Sequence, residues 1–359
     1  MKRSIALVAV TSMAFPAAAV QAPSVRAIAA GDRATRLLLA GDVPALTAML
    51  SPTFLASVGG EPGVARLVGT IRDQLGAPGA VLDNAAFFEG GITSIYRRMV
   101  FAKAPDTTIH WLVDASGAIQ GGAVRSTPTP AVSERLDYQT RAKLRLPFTK
   151  AREGQWYVAW GGRDAVRNYH VTAPDQRFAL DLLVLSDSGS PYRTDGKTNA
   201  DHYCFGTPVL APADGRVVAA VDGIADNATP GVVNDAQPTG NHVVVDHGNG
   251  EFSFLAHFRQ GSVAVRTGQT IAAGSELGRC GNSGRSTLPH IHYHLQDSAA
   301  FGGGKGIPAW FNGYRADGRA VARGEPVRGQ RIEPLPATKG AGLHSPFVAS
   351  RSPVLRKPS

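Results

Sequence analysis

The chain has 359 residues, 43% of them hydrophobic, and a formal net charge of +9. That length allows two or three domains with at least one sizeable core, and the hydrophobic content excludes wholesale disorder. The positive balance favours acidic surfaces in general (nucleic acid, anionic lipid or cell-wall polymer) without choosing among them. The 41 Gly and 24 Pro suit a turn-rich β architecture better than a helical bundle.

The first stretch, MKRSIALVAVTSMAFPAAAVQAPS, carries Lys2 and Arg3, then an apolar run, then small residues around Ala19 and Ala22. It reads as a secretory signal over residues 1–22, cleaved after Ala19 or Ala22. Ser12 and Pro16 interrupt a run too short to span a bilayer comfortably, and no later segment is long and apolar enough to do so. The expectation is a periplasmic or secreted protein with no integral membrane segment after signal removal. In an oxidising compartment the two cysteines, Cys204 and Cys280, are a candidate disulfide pair.

Residues 25 to about 85 read as helical, with Leu37, Leu38, Leu46, Met49 and Leu50 at helical spacing. TSIYRRMVF and TTIHWLVDASGAIQGG follow as strands, the second turning at Ser116-Gly117. Helices followed by an antiparallel meander make a small α+β domain over 23–125. Its pattern resembles the cone-shaped, nuclear-transport-factor-like accessory domains found ahead of bacterial hydrolases. His110 lies in this stretch and reads as a packed strand residue. A Pro- and Ser/Thr-rich linker occupies 126–140. Beyond it, AKLRLPFTKAREGQWYVAWGG reads as two strands turning at Glu153-Gly154, and short β runs continue to about residue 300. We expect a mainly β, antiparallel sandwich-like domain over 141–315. The basic, Pro-rich tail over 316–359 reads as largely disordered, His344 with it.

Histidine is unevenly placed: eight of ten fall between His170 and His294. In LPHIHYHLQ, strand alternation puts His290, His292 and His294 on one face and Ile291, Tyr293 and Leu295 on the other. Neutral imidazole is both a metal ligand and a base near neutral pH. Two cysteines cannot build a thiolate-rich closed zinc site, so any zinc here would be bound by His and Asp and be hydrolytic.

Five motifs occur in order: GTPVLAPADGRVV, GNHVVVDHGNG, LAH, GQ with GSELGRCGNSGRST, and PHIH. Together they resemble the lysostaphin/LytM-type zinc metallopeptidases that cut peptidoglycan cross-bridges, over roughly residues 170–300. The resemblance implies that His292 is a zinc ligand and that His290 and His257 are the catalytic histidines beside the metal. It implies an aspartate ligand on an early strand, which is Asp181, a charge interrupting an apolar run. It also implies that the segments around Cys204 and Cys280 are neighbours, so that a disulfide pins the Gly/Ser loop beside the groove. His294 stands where relatives carry another polar residue and is expected behind the ligands. His242 and His247 flank a hairpin strand and read as structural or surface residues.

The early strand departs from the family pattern, His-x-Gly-x-Asp. Four residues before Asp181 stands Arg177, which cannot bind zinc, and about 20 further residues intervene before GTPV. The missing imidazole is assigned to His170, which precedes the same strand. His202, the less apt Asp201, or no replacement at all stand as alternatives. The resemblance thus implies an exported zinc metallo-endopeptidase of the DD- or LD-type acting on peptidoglycan stem peptides, with no nucleic-acid partner. In a diderm periplasm the family's usual target is a D-alanyl–diaminopimelate bond. The alternative is a degenerate, metal-free relative that binds cell wall, helped by its basic tail, or activates a wall amidase.

Overall fold

The computed structural model describes residues 23–132 and 135–335, so the expected signal segment and His344 lie outside the described residues. Four helices open the fold: α1 (Val25–Ala40), α2 (Val43–Thr47), α3 (Pro52–Ser57) and α4 (Gly60–Leu75). Side-chain oxygens of Ser24, Asp42 and Ser51 accept the free backbone N–H groups at the starts of the first three. Gly41, at φ 78°, closes α1 in the left-handed conformation that a side chain disfavours. Strands β1 (Pro78–Glu89), β2 (Ile92–Phe101), β3 (Ala104–Asp114) and β4 (Ile119–Ser126) follow as an antiparallel meander. Leu38, Phe54, Val68 and Ile71 of the helices share one buried cluster with Ile95, Ile109, Trp111 and Val124 of the sheet. Truncating a side chain such as Leu38 to Ala removes about 2–5 kcal/mol. Residues 78–85 are strand and not helix as the periodicity suggested. Gly76, at φ 73°, stops α4, and Pro78 and Gly79 disfavour its continuation.

The C-terminal unit is mainly β. Its strands are β5 (Gln155–Trp160), β6 (Leu180–Leu185), β7 (Pro208–Leu210), β8 (Gly215–Val221), β9 (Asn241–Asp246), β10 (Phe252–Phe258), β11 (Thr270–Ile271), β12 (Glu276–Arg279), β13 (Ile291–Gln296), β14 (Gly306–Ile307), β15 (Phe311–Ala316), β16 (Arg319–Gly324) and β17 (Arg331–Pro334). Eleven form one sheet in the order β11-β8-β9-β10-β13-β6-β5-β17-β15-β16, with β14 also on β13, while β7 and β12 pair apart. Val209 and Leu277 from that pair join Val217, Val245, Leu255, Ile291 and Tyr293 from the long sheet in one core. This is the sandwich, and it leaves the other face of β6, β10 and β13 free for chemistry.

Two sequence expectations change here. Residues 142–148 alternate as read, and Leu144, Leu146 and Phe148 enter the main core. They form no strand, because their backbone bonds go singly to Pro212, Leu210 and Asn312 instead of to one neighbouring ladder. Residues 316–335, taken as the start of a basic, Pro-rich tail outside the domain, supply β16 and β17. Ile332 is buried in the main core and Arg331 and Ile332 pair with β5, so the edge hairpin is held despite its basic composition. Residues 336–359 lie outside the described residues.

Candidate metal centre

Strand β13 lies between β10 and β6, and its register puts His292 opposite Asp181 on one side and Ala256 on the other. Ile291, Tyr293 and Leu295 point into the main core, which leaves His292 and His294 on the opposite face. Strict alternation along β10 would send His257 into the core beside Leu255. A bulge between Ala256 and Phe258, with His257 at φ 66°, breaks it. Phe258 takes the core position and His257 turns to the histidine face.

Five residues converge there, each at most 8% exposed: His170, Asp181, His257, His290 and His292. His292 Nδ1 is 2.9 Å from Asp181 Oδ1, His290 Nε2 is 3.5 Å from the same oxygen, and His170 Nε2 is 3.6 Å from Oδ2. The His257 ring lies 4.9 Å from that of His290 and 5.7 Å from that of His292.

Acceptors behind the rings decide which nitrogen faces inward. His170 sits in a short helical turn, Tyr169–Thr172, and its Nδ1 is 2.9 Å from Asn168 Oδ1. The Asn168 amide nitrogen donates to the Gly162 and Ala179 carbonyls, so its oxygen can only accept and His170 Nδ1 carries the hydrogen. His257 Nδ1 donates to Ser283 O at 2.8 Å, and His290 Nδ1 to Leu288 O at 2.8 Å. All three rings therefore present Nε2 to the site. His292 is the reverse: Nδ1 faces Asp181, and Nε2 is 3.0 Å from Nδ1 of His294, which stacks on Phe254.

The Gly/Ser loop provides the Ser283 carbonyl and is itself fixed. Ser283 Oγ accepts from Asn241 N and donates to Phe258 O. A Cβ at Gly284 would collide with the backbone of Gly240, so the loop closes only with glycine there. Cys280, just before it, forms the disulfide with Cys204, Cα atoms 5.9 Å apart.

Electrostatics follow burial and Asp181. Burial pushes the pKa of His170 down to about 3 and holds those of His257 and His294 well below the ordinary imidazole value. Burial opposes charge on His290 too, but the Asp181 carboxylate outweighs it and raises that ring's pKa. Asp181, despite burial, stays far below the usual carboxylate range because His170, His290 and His292 surround it.

Donor atoms of His170, Asp181 and His292 all lie within 4.8 Å of one another. Two imidazoles and one carboxylate, with no thiolate, suit a borderline divalent cation and leave a fourth position open, the pattern of hydrolytic sites. His202 is elsewhere: its Nδ1 meets Thr198 O and its ring lies edge-on to Tyr192, while Asp201 caps the same insertion. His242 and His247 bond to backbone carbonyls away from the cluster. Arg177, where the family has its first ligand, is buried and reaches the Val171 carbonyl at 3.5 Å, tying down the turn that carries His170. Sequence reasoning missed Asn168 and Tyr169, whose hydroxyl donates to Asp181 Oδ2 at 3.2 Å. Their adjacency to His170 was the only signal.

Residues 200–303 match the family model described as Peptidase family M23. The stretch contains His257, His290 and His292 and begins after Asp181 and His170. Peptidoglycan DD-endopeptidase ShyA of Vibrio cholerae serotype O1 is 34% identical over 91 residues, 25% of this chain and 18% of that protein. Peptidoglycan DD-endopeptidase ShyC of the same organism is 30% identical over 119 residues, 33% of this chain and 26% of that protein. The matched stretches thus span about a quarter or less of these relatives' own length. Among solved structures, the catalytic domain of lysostaphin from Staphylococcus simulans aligns over 43% of this chain and 89% of its own, at 19% identity and a TM-score of 0.27. The match to family M23 falls within the C-terminal unit, on the stretch whose motifs carry the resemblance.

Proposed function

We propose that the protein is an exported zinc endopeptidase that hydrolyses peptide crosslinks of peptidoglycan, of the DD-type that its relatives' names describe. One observation carries the reading: His170 Nε2, the Asp181 carboxylate and His292 Nδ1 converge beside the Nε2 atoms of His257 and His290. His170, Asp181 and His292 would hold the metal. The chemistry that zinc supplies when bound is Lewis acidity toward a peptide carbonyl and its attacking water. His257 and His290 flank the same space with Nδ1 pinned from behind. One ring accepts the proton of the attacking water while the other donates to the developing oxyanion. Burial of all five groups keeps these interactions out of bulk solvent, where they are strongest. The secretory-signal reading of residues 1–22 supports export, and the similarity to peptidoglycan endopeptidases supports action on the wall.

The test is cleavage of crosslinked muropeptide dimers by zinc-reconstituted mature protein, read as monomer products by chromatography. Release of monomers, abolished by chelation and restored by zinc, is the expected result. Fully zinc-loaded protein that cuts no crosslinked peptide would overturn the reading and leave wall binding or amidase activation in its place.

A further inference from the structure

The two units of the protein meet around one buried cation. Arg328, in the turn before β17, has a side chain only 3% exposed. Its guanidinium carbon lies 3.8 Å from the ring centre of Trp160, 4.2 Å from Phe87 and 5.3 Å from Tyr96. Nη1 donates to the Val166 carbonyl at 3.0 Å, and the nearest carboxylate, Glu89, stands 3.8 Å from Nη2. Phe87 and Glu89 come from β1 and Tyr96 from β2, all in the N-terminal unit, whereas Trp160 ends β5 in the C-terminal sheet. Arg167 adds an ion pair to Asp83 of β1 at 2.8 Å.

An interface that needed only adhesion would be served by apolar packing, since burying a guanidinium without a tight carboxylate partner costs desolvation. A planar cation between aromatic faces does something packing does not: it fixes the orientation of each ring it touches. One of those rings leads to the metal centre. Trp160 meets Tyr169 edge to face at 5.1 Å. Tyr169 lies against His170 with ring centres 3.9 Å apart and donates its hydroxyl to Asp181. Two aromatic rings therefore connect the buried cation to two of the three ligand side chains.

We propose that Arg328 and Trp160 are positioning residues of the metal centre. Docking of the N-terminal unit, through Phe87, Tyr96 and Arg328, sets the Trp160 ring, and that ring holds Tyr169, His170 and Asp181 in ligand geometry. The N-terminal unit is then part of the apparatus that gives the site its metal affinity, and not a detachable appendage. This inference rests on the zinc reading of the site.

The experiment uses the full mature chain and measures its zinc dissociation constant by competition with a chromophoric chelator, with melting temperature recorded beside it. Arg328→Lys keeps the charge and loses the planar face; Trp160→Leu removes the ring. Each should weaken zinc binding about tenfold or more, in the range seen when groups behind metal ligands are removed. Trp160→Phe, which keeps an aromatic face toward both neighbours, should restore most of that loss. His242→Ala, away from the path, should leave affinity unchanged while sampling an ordinary loss of stability. If either Arg328→Lys or Trp160→Leu fails to fold, the other carries the test. Wild-type protein that takes up no zinc overturns the reading of the site and this inference with it. Wild-type protein that binds zinc, with folded variants that bind it equally well whatever their melting temperatures, overturns the inference alone.

Discussion

His110 in the N-terminal sheet and His292 in the C-terminal sheet occupy the same kind of place. Each sits on an interior strand of an antiparallel sheet with a ring against it: His110 stacks on Tyr96 at 4.0 Å, and His292 meets His170 at 5.0 Å. Among the described residues His110 has no carboxylate partner and its Nε2 no hydrogen-bond partner, and burial drives its pKa down to about 3. Around His292 there is a buried aspartate in register, two more imidazoles with their outer nitrogens pinned, and His294 behind. Burial lowers the pKa of His110 in the one region and of His170 and His257 in the other. Only the second supplies what turns neutral imidazoles into a site, namely a shared anion and fixed tautomers.

The largest effects should come from breaking the second arrangement. Asp181→Ala removes the anion that the surrounding histidines share, and both zinc occupancy and crosslink cleavage should fall to background. His257→Ala should lower cleavage by about 10²–10⁴-fold, the usual worth of a positioned acid or base, with zinc retained. Loss of zinc from the His257 variant, by elemental analysis, would instead make that ring a ligand.

The next effect concerns the loop that orients His257. Cys204 and Cys280, 76 residues apart, close a long loop. Replacing both by Ser should cost about 4 kcal/mol, seen in calorimetry as a melting temperature lower by roughly 10 °C. Cleavage should fall as well, because Ser283 follows Cys280 by three residues and its carbonyl holds the His257 ring. An unchanged melting temperature would mean that the loop is held without the bond.

The smallest effect lies in the N-terminal sheet. His110→Phe keeps a ring on Tyr96 and removes an unpartnered nitrogen, so zinc binding and cleavage should not change, and stability near pH 7.5 should shift by no more than about 1 kcal/mol. The pH dependence is more telling. With a folded pKa near 3 against an ordinary 6.5, the unfolded chain takes up a proton that the folded chain refuses. The contribution of His110 to wild-type stability therefore falls as pH drops below about 6.5, and goes on falling towards 3. The Phe variant should lose less of its melting temperature between pH 7 and pH 5 than wild type. An equal loss would show that His110 is protonated in the folded protein.

Much of the C-terminal unit was legible because its determinants are local. Alternation in LPHIHYHLQ gives the face of His292, and the single charge in LDLLVL marks Asp181. His257 was assigned by resemblance only: alternation alone would bury it, and the bulge that turns it outward leaves no trace in residue type. His170 was reached from the gap left by Arg177, whose contact with Val171 is a tertiary fact. The start of β1 was misread because its residues are partly exposed and lack β-branched alternation. Residues 319–324 were misread because β16, an edge strand, carries charge. Asn168, Tyr169 and Arg328 act through neighbours distant in the chain, and composition marks none of them.

The most direct test is the zinc content of reconstituted, dialysed His170→Ala protein beside wild type. Of the three proposed ligands, His170 is the one the family pattern does not supply. About one equivalent per chain in wild type and under a tenth in the variant is the expected result, since two remaining ligands do not retain the metal. A full equivalent held by the variant would contradict the assignment and place the third ligand elsewhere.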